Sequence, residues 1–105
     1  MPSIRMLNDD FRCSFQGGRV LLTIGVSALP REDVVRIQNI VRAYDDFTEE
    51  NDPHQEHDFG SFALNNVTYY WKIDYYDAEC QMGSDDPADP GKTTRVLTIL
   101  RADEY

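Results

Sequence analysis

Asp52, His54, Glu56, His57 and Asp58 gather five groups able to bind a metal or move a proton within one short stretch. On a helix His54 and His57 would share a face, but Pro53 and the polar surroundings predict a loop, and no downstream Cys or His completes a zinc pattern. The H-E-x-x-H order is absent, and so is the D-x-[DN]-x-[DN]-G spacing of a calcium loop. No metal site and no cofactor is expected. A His–Asp or His–Glu pair could act as a general base, although no activated Ser or Cys motif accompanies it. The enzymatic alternative is therefore a small metal-dependent or His/Asp-dependent hydrolase using the His54 to Asp58 cluster. Gly17-Gly18 is a turn signal without the Lys-Ser/Thr of a phosphate loop. Cys13 and Cys80 lie far apart outside any C-x-x-C and are expected as ordinary buried small hydrophobes.

Charge distribution is the stronger signal. The window Asp45 to Asp89 holds thirteen carboxylates and one base, Lys72, for −12, whereas the other sixty residues hold six acids and nine bases, for +3. Such a window is either a pair of solvated loops or a preformed negative surface. Duplex DNA carries one phosphate charge per roughly 1.7 Å of axis, so a protein that imitates it must collect carboxylates on a rigid scaffold. Two acidic loops at the ends of one sheet would meet that requirement. The expected partner-binding surface comprises Asp45, Asp46, Glu49, Glu50, Asp52, Glu56 and Asp58 from the first loop, and Asp77, Glu79, Asp85, Asp86 and Asp89 from the second.

The elements that hold these loops follow from periodicity. Ile4, Leu7 and Phe11 recur at helical spacing behind Pro2-Ser3, with Ser3 as N-cap, and that helix should end before Gly17-Gly18. Arg19 to Ile24 is β-branched and apolar without alternation, which predicts a strand covered on both faces. Pro30-Arg31-Glu32-Asp33 suits a first helical turn, and Val34, Ile37, Ile40, Val41 and Tyr44 form an apolar stripe over about 31–44. An acidic loop over about 45–58 follows. From Gly60 the period becomes two, and Asn65-Asn66 between apolar runs predicts a hairpin turn with positive φ at both positions. Tyr69, Trp71 and Ile73 should face the core, with Tyr70, Lys72 and Asp74 opposite. Prolines within a second acidic connection over about 77–91 exclude a central strand there, and Thr94 to Arg101 closes the sheet. The expected fold class is α+β, two helices packed on one face of a mostly antiparallel four-stranded sheet, in a single domain over 1–105.

A chain of 105 residues supports one core. The formal net charge of −9 argues against direct nucleic-acid binding or an anionic membrane surface, and no run approaches the roughly 18 apolar residues of a membrane span. Met1 to Met6 lacks the apolar region of an export signal, so a cytoplasmic location is expected. One tryptophan and several tyrosines on a strand would suggest base stacking only inside a basic groove, and Lys72 alone does not make one.

Several longer motifs point further. Gly25-Val26-Ser27-Ala28-Leu29-Pro30, Tyr44-Asp45-Asp46-Phe47, Asn51-Asp52-Pro53-His54 with Glu56-His57-Asp58-Phe59-Gly60, Trp71 to Asp77, Gly83-Ser84 with Asp86 to Pro90, and Thr94 to Ile99 span most of the chain. In these the sequence resembles a bacterial family of small acidic proteins catalogued as domain of unknown function 3768. The resemblance implies a bacterial, cytoplasmic protein from a setting that includes plasmids and phage-derived regions, and it transfers no catalytic residues. The expectation is a non-enzymatic binding or inhibitor protein, a DNA mimic of the anti-CRISPR or anti-defence kind. Its partner would be a basic protein surface such as that of a CRISPR effector complex. The oligomeric state stays open, a homodimer included.

Overall fold

The computed structural model describes residues 3–105; Met1 and Pro2, expected to precede the first helix, lie outside them. The chain runs α1 (Ile4–Ser14), β1 (Gly18–Leu22), a one-turn α2 (Ile24–Ser27), α3 (Arg31–Arg42), β2 (Phe59–Leu64), β3 (Val67–Tyr76), β4 (Thr94–Arg101) and a closing 3-10 turn at Ala102–Glu104. The four strands make one sheet in the order β1-β4-β3-β2, antiparallel except for the parallel pair β1 and β4. This is the expected α+β class, with α2 as an addition.

Local signals explain the element ends. Ser3 caps α1 by accepting from the Met6 N–H at 3.1 Å, and Phe15 stops it in the left-handed region at φ 59°. Glu32 and Asp33 occupy the first turn of α3 and Arg42 its last, each charge matched to the helix dipole. Asn65 and Asn66 adopt φ 53° and 65°, the two-residue turn expected of them, and Leu64 pairs with Val67 across it.

The core lies between the helices and one sheet face. Phe11, Ile37, Val41, Tyr69, Trp71, Ile73, Leu97 and Ile99 join one buried cluster, so β3 is in the register its alternation predicts. Trp71 is fully buried, edge-on to Tyr44 with 5.4 Å between centroids. A Cβ on Gly60 would overlap the Trp71 indole nitrogen and stand 2.7 Å from Tyr44 Cζ, so the absent side chain at 60 makes room for the tryptophan. That indole nitrogen has no hydrogen-bond partner among the described residues.

Four expectations need correction. The first strand ends at Leu22, and Ile24 begins α2 with its side chain exposed. Its apolar run is not covered on both faces, because Leu21, opposite Thr98, points to the face that carries no helix and is 52% exposed. Of the expected stripe on α1, Phe11 is buried but Ile4 and Leu7 only half-buried, and the same face seats two buried polar groups, Asn8 and Arg12. Cys13 lies off that face and is exposed, and Cys80 sits half-buried in the second loop at φ 58°.

Candidate functional site

Strand register decides where the acidic loops emerge. Phe59, the first residue of β2, pairs with Lys72 in the second half of β3, and Tyr76, the last of β3, pairs with Thr94, the first of β4. Both acidic connections therefore meet the sheet at the same end. Of the twelve carboxylates singled out in the sequence, Asp45, Asp46, Glu49, Glu50, Glu79 and Asp85 are exposed there, and Glu56, Asp58, Asp77, Asp86 and Asp89 are half-buried. Asp52 departs from that set. It is only 7% exposed, and its Oδ1 accepts the Glu56 and His57 N–H groups at 3.1 Å each, so it holds the turn together.

Beneath this end lies a buried polar chain. Arg95, 3% exposed, donates from Nε to Asn8 Oδ1 at 2.8 Å and from its terminal nitrogen to the Pro87 carbonyl of the second loop. Asn8, fully buried, donates from Nδ2 to the Glu56 carbonyl of the first loop at 2.9 Å and to the Tyr75 hydroxyl at 2.8 Å. Tyr75 passes its own proton toward Asp58 Oδ2 at 3.1 Å. Hydrogen bonds in such a series polarise one another in the low dielectric of the interior. One unit from α1, β3 and β4 thus fastens both acidic loops. Burial pushes the Tyr75 phenol well above its ordinary value, and the Asp58 and Glu56 charges add to that while the Asn8 hydrogen bond opposes it. Burial also lowers the Arg95 guanidinium, since no carboxylate pairs with it among the described residues. It remains a cation set under a negative surface.

Arg12 does parallel work for the first loop. Its guanidinium donates to the Val41 and Tyr44 carbonyls at 3.1 and 3.0 Å, satisfying the end of α3, and pairs with Asp9 at 3.0 Å. It also stands 5.3 Å from both the Phe47 and Trp71 ring centroids. Phe47 in turn stacks on His57, with 3.7 Å between centroids and 4° between planes. His57 Nδ1 faces both Asp9 oxygens, at 2.9 and 3.1 Å, and Nε2 lies 3.5 Å from Asp52 Oδ2. The cluster expected to carry chemistry is thereby split: His57 and Asp52 turn inward against α1, while His54 is exposed. Among the described residues no group of three or more His, Cys, Asp or Glu side chains is arranged to hold a metal ion. A concavity of about 220 Å³ beside His57 is lined by Arg5, Phe47, Glu49, Asp52 and Pro53, with Thr48 and Gln55 at its wall.

Asn8, Asp9, Arg12, Tyr75 and Arg95 were not identified from sequence. The available signal was a spacing of four between Asn8 and Arg12 on α1, alongside an arginine within an otherwise apolar strand.

The model of a protein family of unknown function, DUF3768, matches residues 22–104. The chain belongs to that family. The match takes in β1's last residue, the sheet's remaining strands and both acidic loops, and it leaves out α1, which supplies Asn8, Asp9 and Arg12. No curated protein and no solved structure matches the chain. No helix of the described residues is long and apolar enough to cross a membrane.

Proposed function

We propose that this DUF3768 protein is a non-enzymatic acidic binding protein whose loop end occupies a basic, nucleic-acid-binding surface on a partner, as a DNA-mimic inhibitor of a CRISPR effector or another defence complex does. The observation that supports it is the joint anchoring of two acidic loops at one end of the sheet by the buried Asn8–Arg95 unit. Repelling carboxylates held on a fixed frame carry their charge into binding without a further ordering cost. Freely solvated loops have no need of a buried cation beneath them.

The test is displacement of a fluorescent DNA duplex from a purified CRISPR effector complex, with a lac-type repressor as a second basic surface. The protein should displace duplex, less so as salt rises and the Debye length falls from about 10 Å at 0.1 M to 3 Å at 1 M. Reversal of Asp45, Glu50, Glu79 and Asp85 to Lys, all exposed and with side chains free of hydrogen bonds among the described residues, should abolish displacement with the fold intact. Equal displacement by the reversed variant, or none by the parent on either surface, refutes the reading.

One observation favours a second reading, a small hydrolase. Asp9 orients the His57 imidazole through Nδ1, as a carboxylate orients a general base, at the edge of a concavity. Against it, Nε2 already faces Asp52, and the hydroxyl in the lining of the concavity, that of Thr48, already accepts from the Asn51 N–H at 3.2 Å. Ester and phosphoester turnover lost on His57→Ala would support this reading over the first.

A further inference from the structure

The concavity beside His57 has an unusual wall. Asp52 and His57 line it, and their polar atoms face one another, Asp9 or backbone N–H groups. Phe47 and Pro53 contribute apolar surface. Two charges are left over. Arg5 and Glu49 line the same space, both are exposed, and among the described residues neither makes an ion pair or a side-chain hydrogen bond.

A simple anion drawn to Arg5 would meet the Glu49 carboxylate, and a simple cation drawn to Glu49 would meet the guanidinium. A ligand carrying both charges satisfies both. The volume, about 220 Å³, lies below the roughly 300–1,000 Å³ of pockets that hold drug-sized molecules, which suits an occupant smaller than those. We propose that this concavity is a binding site for a free, small aliphatic α-amino acid. Its carboxylate is held by the planar fork of Arg5, its ammonium by Glu49, and its side chain lies against Phe47 and Pro53. The site shares Glu49 with the acidic surface but draws on neither the second loop nor the Asn8–Arg95 unit, so its test reads separately from that of the acidic-surface reading. Its occupation would add contacts between α1 and the first acidic loop, because Arg5 belongs to the one and Glu49 to the other.

The probe is L-valine, with N-acetyl-L-valine and L-valinamide as analogues that each lack one charge, and binding to the full chain is read by calorimetry and by protein NMR shifts. Valine should bind with roughly millimolar affinity, as suits so small a ligand. Each analogue should bind about tenfold more weakly or worse, the ratio expected for one lost charge-assisted hydrogen bond. Arg5→Gln should remove the penalty of amidation and Glu49→Gln that of acetylation, each variant binding valine about as weakly as its matching analogue binds the parent. Neither substitution touches the core, and a preserved far-field NMR spectrum verifies the fold. The proposal is overturned if valine does not bind, if both analogues bind as well as valine, or if the two variants leave the pattern unchanged. The analogue series on the parent protein decides the matter even if a variant fails to fold.

Discussion

Arg95→Met removes the buried cation, whose guanidinium carbon stands 5.3 Å from the Tyr75 ring centroid, and keeps most of the aliphatic stem. The guanidinium donates to Asn8 Oδ1 and to the Pro87 carbonyl, and a hydrogen bond from a charged donor contributes about 1.5–3 kcal/mol. Deleting both would cost about 3–6 kcal/mol, but the parent also bears the desolvation of a guanidinium without a carboxylate partner, and its removal returns part of that. A net loss of about 2–4 kcal/mol is expected, a large share of the roughly 5–15 kcal/mol available to a domain. Urea unfolding followed by the fluorescence of Trp71, the single tryptophan and fully buried, should show the midpoint falling by roughly 1–3 M. Asn8→Ala should cost a similar amount, and the double variant well under the sum, since both substitutions cut one chain of hydrogen bonds. Amide exchange in both acidic loops should rise together in either single variant. A loss under about 1 kcal/mol, additive with Asn8→Ala, would refute the view that one buried unit fastens both loops.

Two further outcomes follow from the same frame. Trp71→Ala should cost about 3–5 kcal/mol, as for a large buried aromatic, while Tyr70→Ala on the helix-free face should cost about 1 kcal/mol; thermal unfolding by circular dichroism compares them, and equal losses would place β3 one residue out of register. The Glu104 carboxyl is held below its ordinary value chiefly by the Thr23 hydroxyl, then by the Arg101 and Gly25 N–H groups. Because the folded value is depressed, its contribution is complete above the unfolded value of about 4.3 and disappears as pH falls through the lower folded one. Glu104→Gln should make the acid limb of stability shallower in that window and leave the pH dependence above it as in the parent; an unchanged acid limb would contradict the role assigned to Glu104.

Much of the scaffold was present in local pattern. Alternation over Val67–Tyr76 selects Tyr69, Trp71 and Ile73 for the core because side chains on a strand point to opposite faces, and only that set is apolar. Asn65-Asn66 specifies its turn because asparagine tolerates the left-handed region that the turn requires. The −12 window is a property of composition, and chain order alone placed it in two connections. What local pattern could not decide was relative position. Periodicity ranked Ile4, Leu7 and Phe11 as one face of α1, because an apolar residue is ordinarily preferred inside. The fold buries Phe11 and seats Asn8 and Arg12 beside it, since residues far away in sequence, the Glu56, Val41 and Tyr44 carbonyls with the Arg95 guanidinium, offer them bonds that water would otherwise supply. The pairing of Tyr76 with Thr94 and of Phe59 with Lys72 likewise brings both acidic loops to one end of the sheet, a consequence of long-range register. Asp52 illustrates the same division in a single residue: its carboxylate counted toward a negative surface until the turn closed around it and supplied two backbone N–H groups. Residue type determined which groups carry charge, and tertiary structure determined which of those charges face water, because burial depends on partners that only the folded chain brings within bonding distance.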